Sequence, residues 1–163
     1  MLLRLLPALF LLCCLPVCAE GPRDLAWSEM IPPNSPRLAQ PVISHDGGER
    51  GPLAPQSLPN APVVAALDGQ QIKLPGYIVP LENDAQGRVT EFLFVPYFGA
   101  CIHVPPPPSN QIVHVQSPQG VVQEALYQPF WIEGRLKVQQ TRSDLAETGY
   151  AMRAERIYPY ELK

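Results

Sequence analysis

Thiols are scarce in this chain and poorly placed for cross-linking. Of its four cysteines, Cys13, Cys14 and Cys18 crowd the N-terminal run MLLRLLPALFLLCCLPVCAE, and Cys101 stands alone beyond it. With one thiol outside that run, no internal disulfide can form. Cys101 is therefore expected to be free, metal-bound, paired with another molecule, or packed as a small apolar residue. No Cys-x-x-Cys pair is present, so no zinc-ribbon or dithiol redox motif arises. Cations are also few, 12 Lys and Arg against 15 Asp and Glu. No basic cluster is present, which excludes nucleic-acid binding as a working class. Mild acidity gives no reason to expect attraction to an anionic membrane. No internal repeat is visible.

The first residues read as a leader rather than as fold. One early cation, Arg4, precedes an apolar run to Leu15, and small residues at Val17 and Ala19 suit cleavage before Glu20. The run is short for a membrane span and carries Pro7 and Pro16. The expectation is a signal peptide over residues 1–19, export to the periplasm, and no stable membrane insertion after cleavage. Losing Arg4 moves the net charge from −3 to −4, with 11 basic residues left against 15 acidic ones.

Composition changes near residue 60. Residues 20–60 are crowded with Pro, Gly, Ser and Asn and read as a Pro-rich arm or linker. Within it, Asp24 is expected to cap a short helix running through Met30, with Leu25, Trp27 and Ile31 as apolar anchors and Pro32-Pro33 as the stop. Residues 61–163 read as β structure. PVVAAL and QIKLPGYIVPL are apolar runs joined by the turn signal Asp68-Gly69, followed by VTEFLFVPYF, QIVHVQS, VVQEAL, FWIEGRLKVQQT and YAMRAERIYPY. Between the last two, SDLAETG is expected to form a helical turn, capped by Ser143 and closed by Gly149. Gly76 and Gly134 interrupt strand-like runs where small barrels bend or bulge. Short strands at regular spacing predict an all-β fold: a small OB-like or partly open β-barrel with an extended N-terminal arm.

The chemistry concentrates in PYFGACIHVPPPPSNQIVHV. Side chains two apart on an extended chain share a face, so Cys101 and His103 point the same way if this stretch is extended. Pro105 to Pro108 are expected in polyproline II geometry, which stiffens the return at low entropic cost. Along Gln111 to Val115, Ile112 and His114 share one face. A thiolate with two imidazoles, Cys101, His103 and His114, is a recognised ligand set for zinc and, less so, for copper. Two other readings stand beside the metal. The imidazole could lower the Cys101 pKa and make a Cys-His thiol enzyme. Alternatively, Cys101 and His103 only fix a loop whose Pro105–Pro108 ridge, with Asn110 and Gln111, meets a protein partner. A His45 ligand is the weakest candidate.

The segment Gly76 to Val115, with FWIEGRLKV and TGYAMRAERI further on, resembles a family of exported Gram-negative bacterial proteins of unknown function with a PYFGACIHVPPPP-type signature. Ser109 stands where that signature more often has proline. Members are often encoded near ABC-transporter components, including metal-uptake ones. The resemblance implies a periplasmic accessory protein that binds a metal ion, zinc by analogy, in support of such a transporter or another envelope protein, with no catalytic assignment.

Overall fold

The computed structural model describes residues 21–35, 55–102 and 104–161. The leader, His45 and His103 lie outside the described residues. The described residues form six strands: β1 Arg23–Asp24, β2 Gln71–Asn83, β3 Val89–Val95, β4 Val113–Val121, β5 Pro129–Arg142 and β6 Glu147–Pro159. The first half of β2 pairs antiparallel with β5, from Gln71↔Arg135 to Tyr77↔Pro129. Its second half pairs antiparallel with β3, starting at Tyr77↔Val95. β3 pairs with β4, β4 runs parallel to β6, and β6 returns antiparallel to β5. The ring β2-β3-β4-β6-β5 therefore closes on itself. The all-β, OB-like barrel expected from the strand pattern is the fold observed.

Gly76 marks the place where β2 passes from one partner to the other. A Cβ there would lie 2.5 Å from the Val95 carbonyl oxygen and 2.9 Å from the Phe94 ring. Only glycine lets the walls approach so closely. Gly134 does the same opposite β6, where the ladder shifts register between Glu133 and Gly134. Alternation then sorts the side chains. Ile72, Leu74, Ile78, Phe92, Phe94, Val113, Val115, Phe130, Ile132, Leu136, Tyr150 and Met152 fill the interior. Their neighbours Val79, Leu93 and Ile112 point outward, where they join Val95, Ala100, Cys101 and Ala146 in a second apolar cluster.

The described parts of the N-terminal arm, residues 21–35 and 55–60, include stretches that pack against the barrel. β1 lies parallel to β2 at Ile72 and Lys73. Leu25, Met30 and Leu67 are buried in the interior cluster, with Trp27, Val63 and Val64 packed against it. The Tyr150 hydroxyl ties both stretches of the arm down, donating to the Met30 carbonyl (2.9 Å) and accepting from the Val64 N–H (2.8 Å).

Four local expectations differ from the structure. Asp24 belongs to β1 and caps nothing; the expected helix is a single 3-10 turn, Trp27–Met30, entered at Ala26, whose N–H donates to Glu29. PVVAAL is no strand: it runs into a 3-10 turn at Ala65–Leu67, and Leu67 is buried in the interior cluster. The strand expected over VVQEAL stops at Val121. SDLAETG forms no helix either. The Ser143 hydroxyl accepts from the Leu145 and Ala146 N–H groups, closing a turn straight into β6. Gly149 lies in that strand, where a Cβ would sit 2.7 Å from Val63 Cγ1. Its smallness admits the arm.

Candidate functional site around the cysteine loop

The cysteine loop leaves β3 at Val95 and folds back over the outer face of the β2-β3-β4 wall. Gly99, at φ +83°, turns the chain, and its carbonyl accepts from the Ile102 and Val104 N–H groups. Cys101 follows at φ +64°, and among the described residues it is the one non-glycine with a positive φ. That conformation carries a steric cost for a residue with a Cβ. It aims the side chain at the sheet, where Cys101 is 1% exposed within the cluster of Val79, Leu93, Val95, Ala100, Ile112 and Ala146. Burial pushes the thiol pKa up to about 12, from 9.0. The reason is the cost of desolvating a thiolate among hydrocarbon groups. As a buried neutral acid, the thiol stabilises the fold fully below pH 9, a contribution lost as pH rises from about 9 towards 12.

His114 sits on the same outer face of the wall, opposite Leu93 on β3. Strand alternation between the buried Val113 and Val115 puts it there. Its Nε2 lies 2.7 Å from the Glu91 carboxylate, which projects from the same face of β3. Among the described residues, no group of three or more His, Cys, Asp and Glu side chains could hold a metal ion. The expected set of Cys101, His103 and His114 rests on His103, outside those residues. Glu91 was not among the candidates from sequence. The outward alternation of Glu91, Leu93 and Val95 against Phe92 and Phe94 is the signal that places it.

The proline segment faces inward. Pro106 and Pro107 are buried, Pro105 and Pro108 half-buried. Pro108, at φ −51° and ψ 147°, is close to polyproline II geometry. The polar groups of this segment hold the chain's own arm. The Ser109 hydroxyl accepts from the Ala61 N–H, and the Ser109 N–H donates to Leu58. Asn110 Nδ2 donates to the Pro62 carbonyl (2.7 Å), and Gln111 Nε2 to that of Trp27 (2.9 Å). Gln56 answers from the arm, donating to the carbonyls of Pro107 and Glu147. Of the residues expected to meet a partner, Pro107 and Asn110 bond to Gln56 and Pro62, and Gln111 bonds to Trp27. Gln56 was missed because the arm around it has no period, and Ser109 because it reads only as a departure from the proline run.

Two further carboxylates hold the fold together. Asp84 closes the β2–β3 turn by accepting from the Gln86 and Arg88 N–H groups and from Arg88 Nε. Glu133 is buried on the outer face of β5 and takes Arg156 Nη1 (3.0 Å) and the Tyr158 hydroxyl (2.6 Å).

The comparisons with known proteins agree with one another. Residues 27–159 match the family described as "Protein of unknown function (DUF3299)". The chain is similar to a protein of that family from Pseudomonas aeruginosa PAO1 whose crystal structure is known, at 56% identity and a TM-score of 0.80. That similarity covers 88% of this chain and 99% of the other. No curated protein matches the chain.

Proposed function

The chain belongs to the DUF3299 family, and we propose that it is a non-enzymatic accessory protein that works by binding a protein partner in the cell envelope. The leader-like residues 1–19 would deliver it to the periplasm. The family resemblance read from the signature makes a component of an ABC-type transporter the partner class. One observation carries the reading: the thiol of Cys101 is sealed among apolar side chains with its pKa raised to about 12. A nucleophilic cysteine needs the opposite setting, partly exposed and electropositive. Ser109, Asn110 and Gln111 are likewise engaged by the arm, which leaves the motif an architectural role.

Alkylation tests this directly. Between about pH 6 and pH 9, iodoacetamide should leave Cys101 unmodified in the folded protein and modify it fully in denaturant. Rapid labelling of the native protein below neutral pH would install the thiol enzyme instead.

A second reading, zinc or less readily copper held by Cys101, His103 and His114, is favoured by the Glu91–His114 contact. A carboxylate on one imidazole nitrogen is how metal-binding histidines are commonly oriented, leaving the other nitrogen for the ion. On this reading zinc displaces the Cys101 proton, and Cys101→Ala weakens equilibrium zinc binding at least tenfold. Equal affinity for the two proteins removes the metal.

A further inference from the structure

Among the described residues, every lysine and arginine except three sits in an ion pair. Arg23 pairs with Glu29, Lys73 with Asp24, Arg88 with Asp84, Arg142 with Glu147 and Arg156 with Glu133. The exceptions are Arg135, Lys137 and Arg153, and they are neighbours. Leu136 and Met152 point into the barrel, so all three cations stand on its outer face, exposed. Arg135 and Arg153 are direct cross-strand partners, and Lys137, opposite Ala151, lies diagonal to Arg153. Like charges set directly opposite each other destabilise a sheet. Only Arg135 has a local use, its Nη1 donating to the Gly69 carbonyl (2.7 Å).

The surroundings are polar. Gln71 faces Arg135 from β2, and Gln116 faces Arg153 from β4, in the last pair before β4 and β6 part. Two carboxylates border the patch. Glu155 accepts from Gln71 Nε2 (2.7 Å) and Asp68 from the Val138 N–H (2.9 Å); neither forms an ion pair with the three cations. The wall thus keeps a positive excess on a chain whose net charge is −3. The exposed large apolar side chains, Ile102, Val122, Leu126 and Tyr127, belong to other segments. Three cations without an apolar side chain to insert fall short of what a membrane surface requires.

Charge complementarity therefore selects a carboxylate-bearing partner. Alternate side chains of an extended chain stand about 7 Å apart on one face, the interval that also separates Arg135 from Lys137 along β5. We propose that an acidic, extended segment of a partner protein, with carboxylates at alternate residues, docks on the outer face of β5 and β6 at Arg135, Lys137 and Arg153. Its carboxylates relieve the Arg135–Arg153 repulsion and accept charge-assisted hydrogen bonds from both guanidinium groups. This rests on the reading above that the protein works by binding a protein, and it names the surface and the chemistry of that partner.

A capped peptide alternating Glu and Ser over eight residues serves as the probe, with Gln in place of Glu as control. Titration of the isotope-labelled protein at low salt should give saturable amide shifts at residues 135–137 and 153. The Gln peptide should bind about tenfold more weakly or worse, and added salt should weaken the Glu peptide steeply. Arg153→Gln should weaken binding severalfold yet leave the melting temperature unchanged or raised, because it removes the cross-strand repulsion. Glu155→Gln, which clears a bordering negative charge, should tighten binding. Arg142→Gln, at an exposed cation paired with Glu147, should leave it unchanged. Equal affinity for both peptides, shifts elsewhere, no saturable binding, or equal losses in Arg153→Gln and Arg142→Gln overturn the proposal. So does saturable binding of anionic phospholipid vesicles that Arg153→Gln weakens while the peptide stays unbound, which makes a membrane the occupant. If the peptide fails while native Cys101 stays inert to iodoacetamide, this wall is removed and the non-enzymatic reading stands. If Cys101 alkylates rapidly below neutral pH, that reading falls whatever the peptide does.

Discussion

Gly76→Ala should cost the protein about 3 kcal/mol or more of unfolding free energy, at the upper end of overpacking penalties. The new methyl carbon would stand 2.5 Å from the Val95 carbonyl oxygen and 2.9 Å from the Phe94 ring. One of these obstacles is backbone, already in register with Tyr77, so no rotamer change relieves the clash. Relief requires the β2–β3 ladder to separate where the barrel closes. In a chain of this size such a loss lowers the melting temperature by roughly 10 °C. Thermal and urea unfolding of the two proteins measure it. Gly87→Ala is the control, since a Cβ at Gly87 meets nothing within 4 Å and pays only for its φ of +77°. A Gly76→Ala protein no less stable than this control would show that the closing wall yields freely.

Tyr150→Phe should destabilise by about 2–4 kcal/mol while keeping the ring in place. The hydroxyl is fully buried and serves two backbone groups of the arm, the Met30 carbonyl and the Val64 N–H. Removing it leaves the buried Met30 carbonyl and the part-buried Val64 N–H without their partner, the first costing about 1–3 kcal/mol and the second less. The loss should be local in its first effect. Amide exchange at Val64 should accelerate well beyond that of strand residues such as Phe92, because the arm can lift while the barrel stays closed. Uniform acceleration through both would mean that arm and barrel unfold as one unit.

Much of the fold was legible because strand alternation is a local property. Val113 and Val115 against His114, or Phe92 and Phe94 against Glu91 and Leu93, announce two faces without any knowledge of partners. The glycines within β2 and β5 were equally readable as places where the barrel bends or bulges; that they admit a neighbouring wall was not. Misreadings came where one local signal serves two structures. Ser143 offers its hydroxyl to N–H groups two and three residues on, as a helix cap does, and here the same bonds close a hairpin. PVVAAL is as apolar as a strand, yet it leads into the turn that buries Leu67. VVQEAL reads as a strand, yet β4 stops at Val121 and leaves Val122 and Leu126 exposed.

The cysteine loop divides along the same line. Its spacing, its proline stiffness and the shared face of Ile112 and His114 follow from the order of residues alone. That Cys101 turns inward at a positive φ, that Glu91 takes His114, and that Ser109 to Gln111 receive the chain's own arm all depend on segments distant in sequence. Asn110 meets Pro62 and Gln111 meets Trp27 across separations of 48 and 84 residues. The order of residues determined which faces are apolar and where the chain must bend. Tertiary structure alone decided what covers each face and where β4 and β6 part, because burial and pairing are set by long-range neighbours that no local pattern encodes.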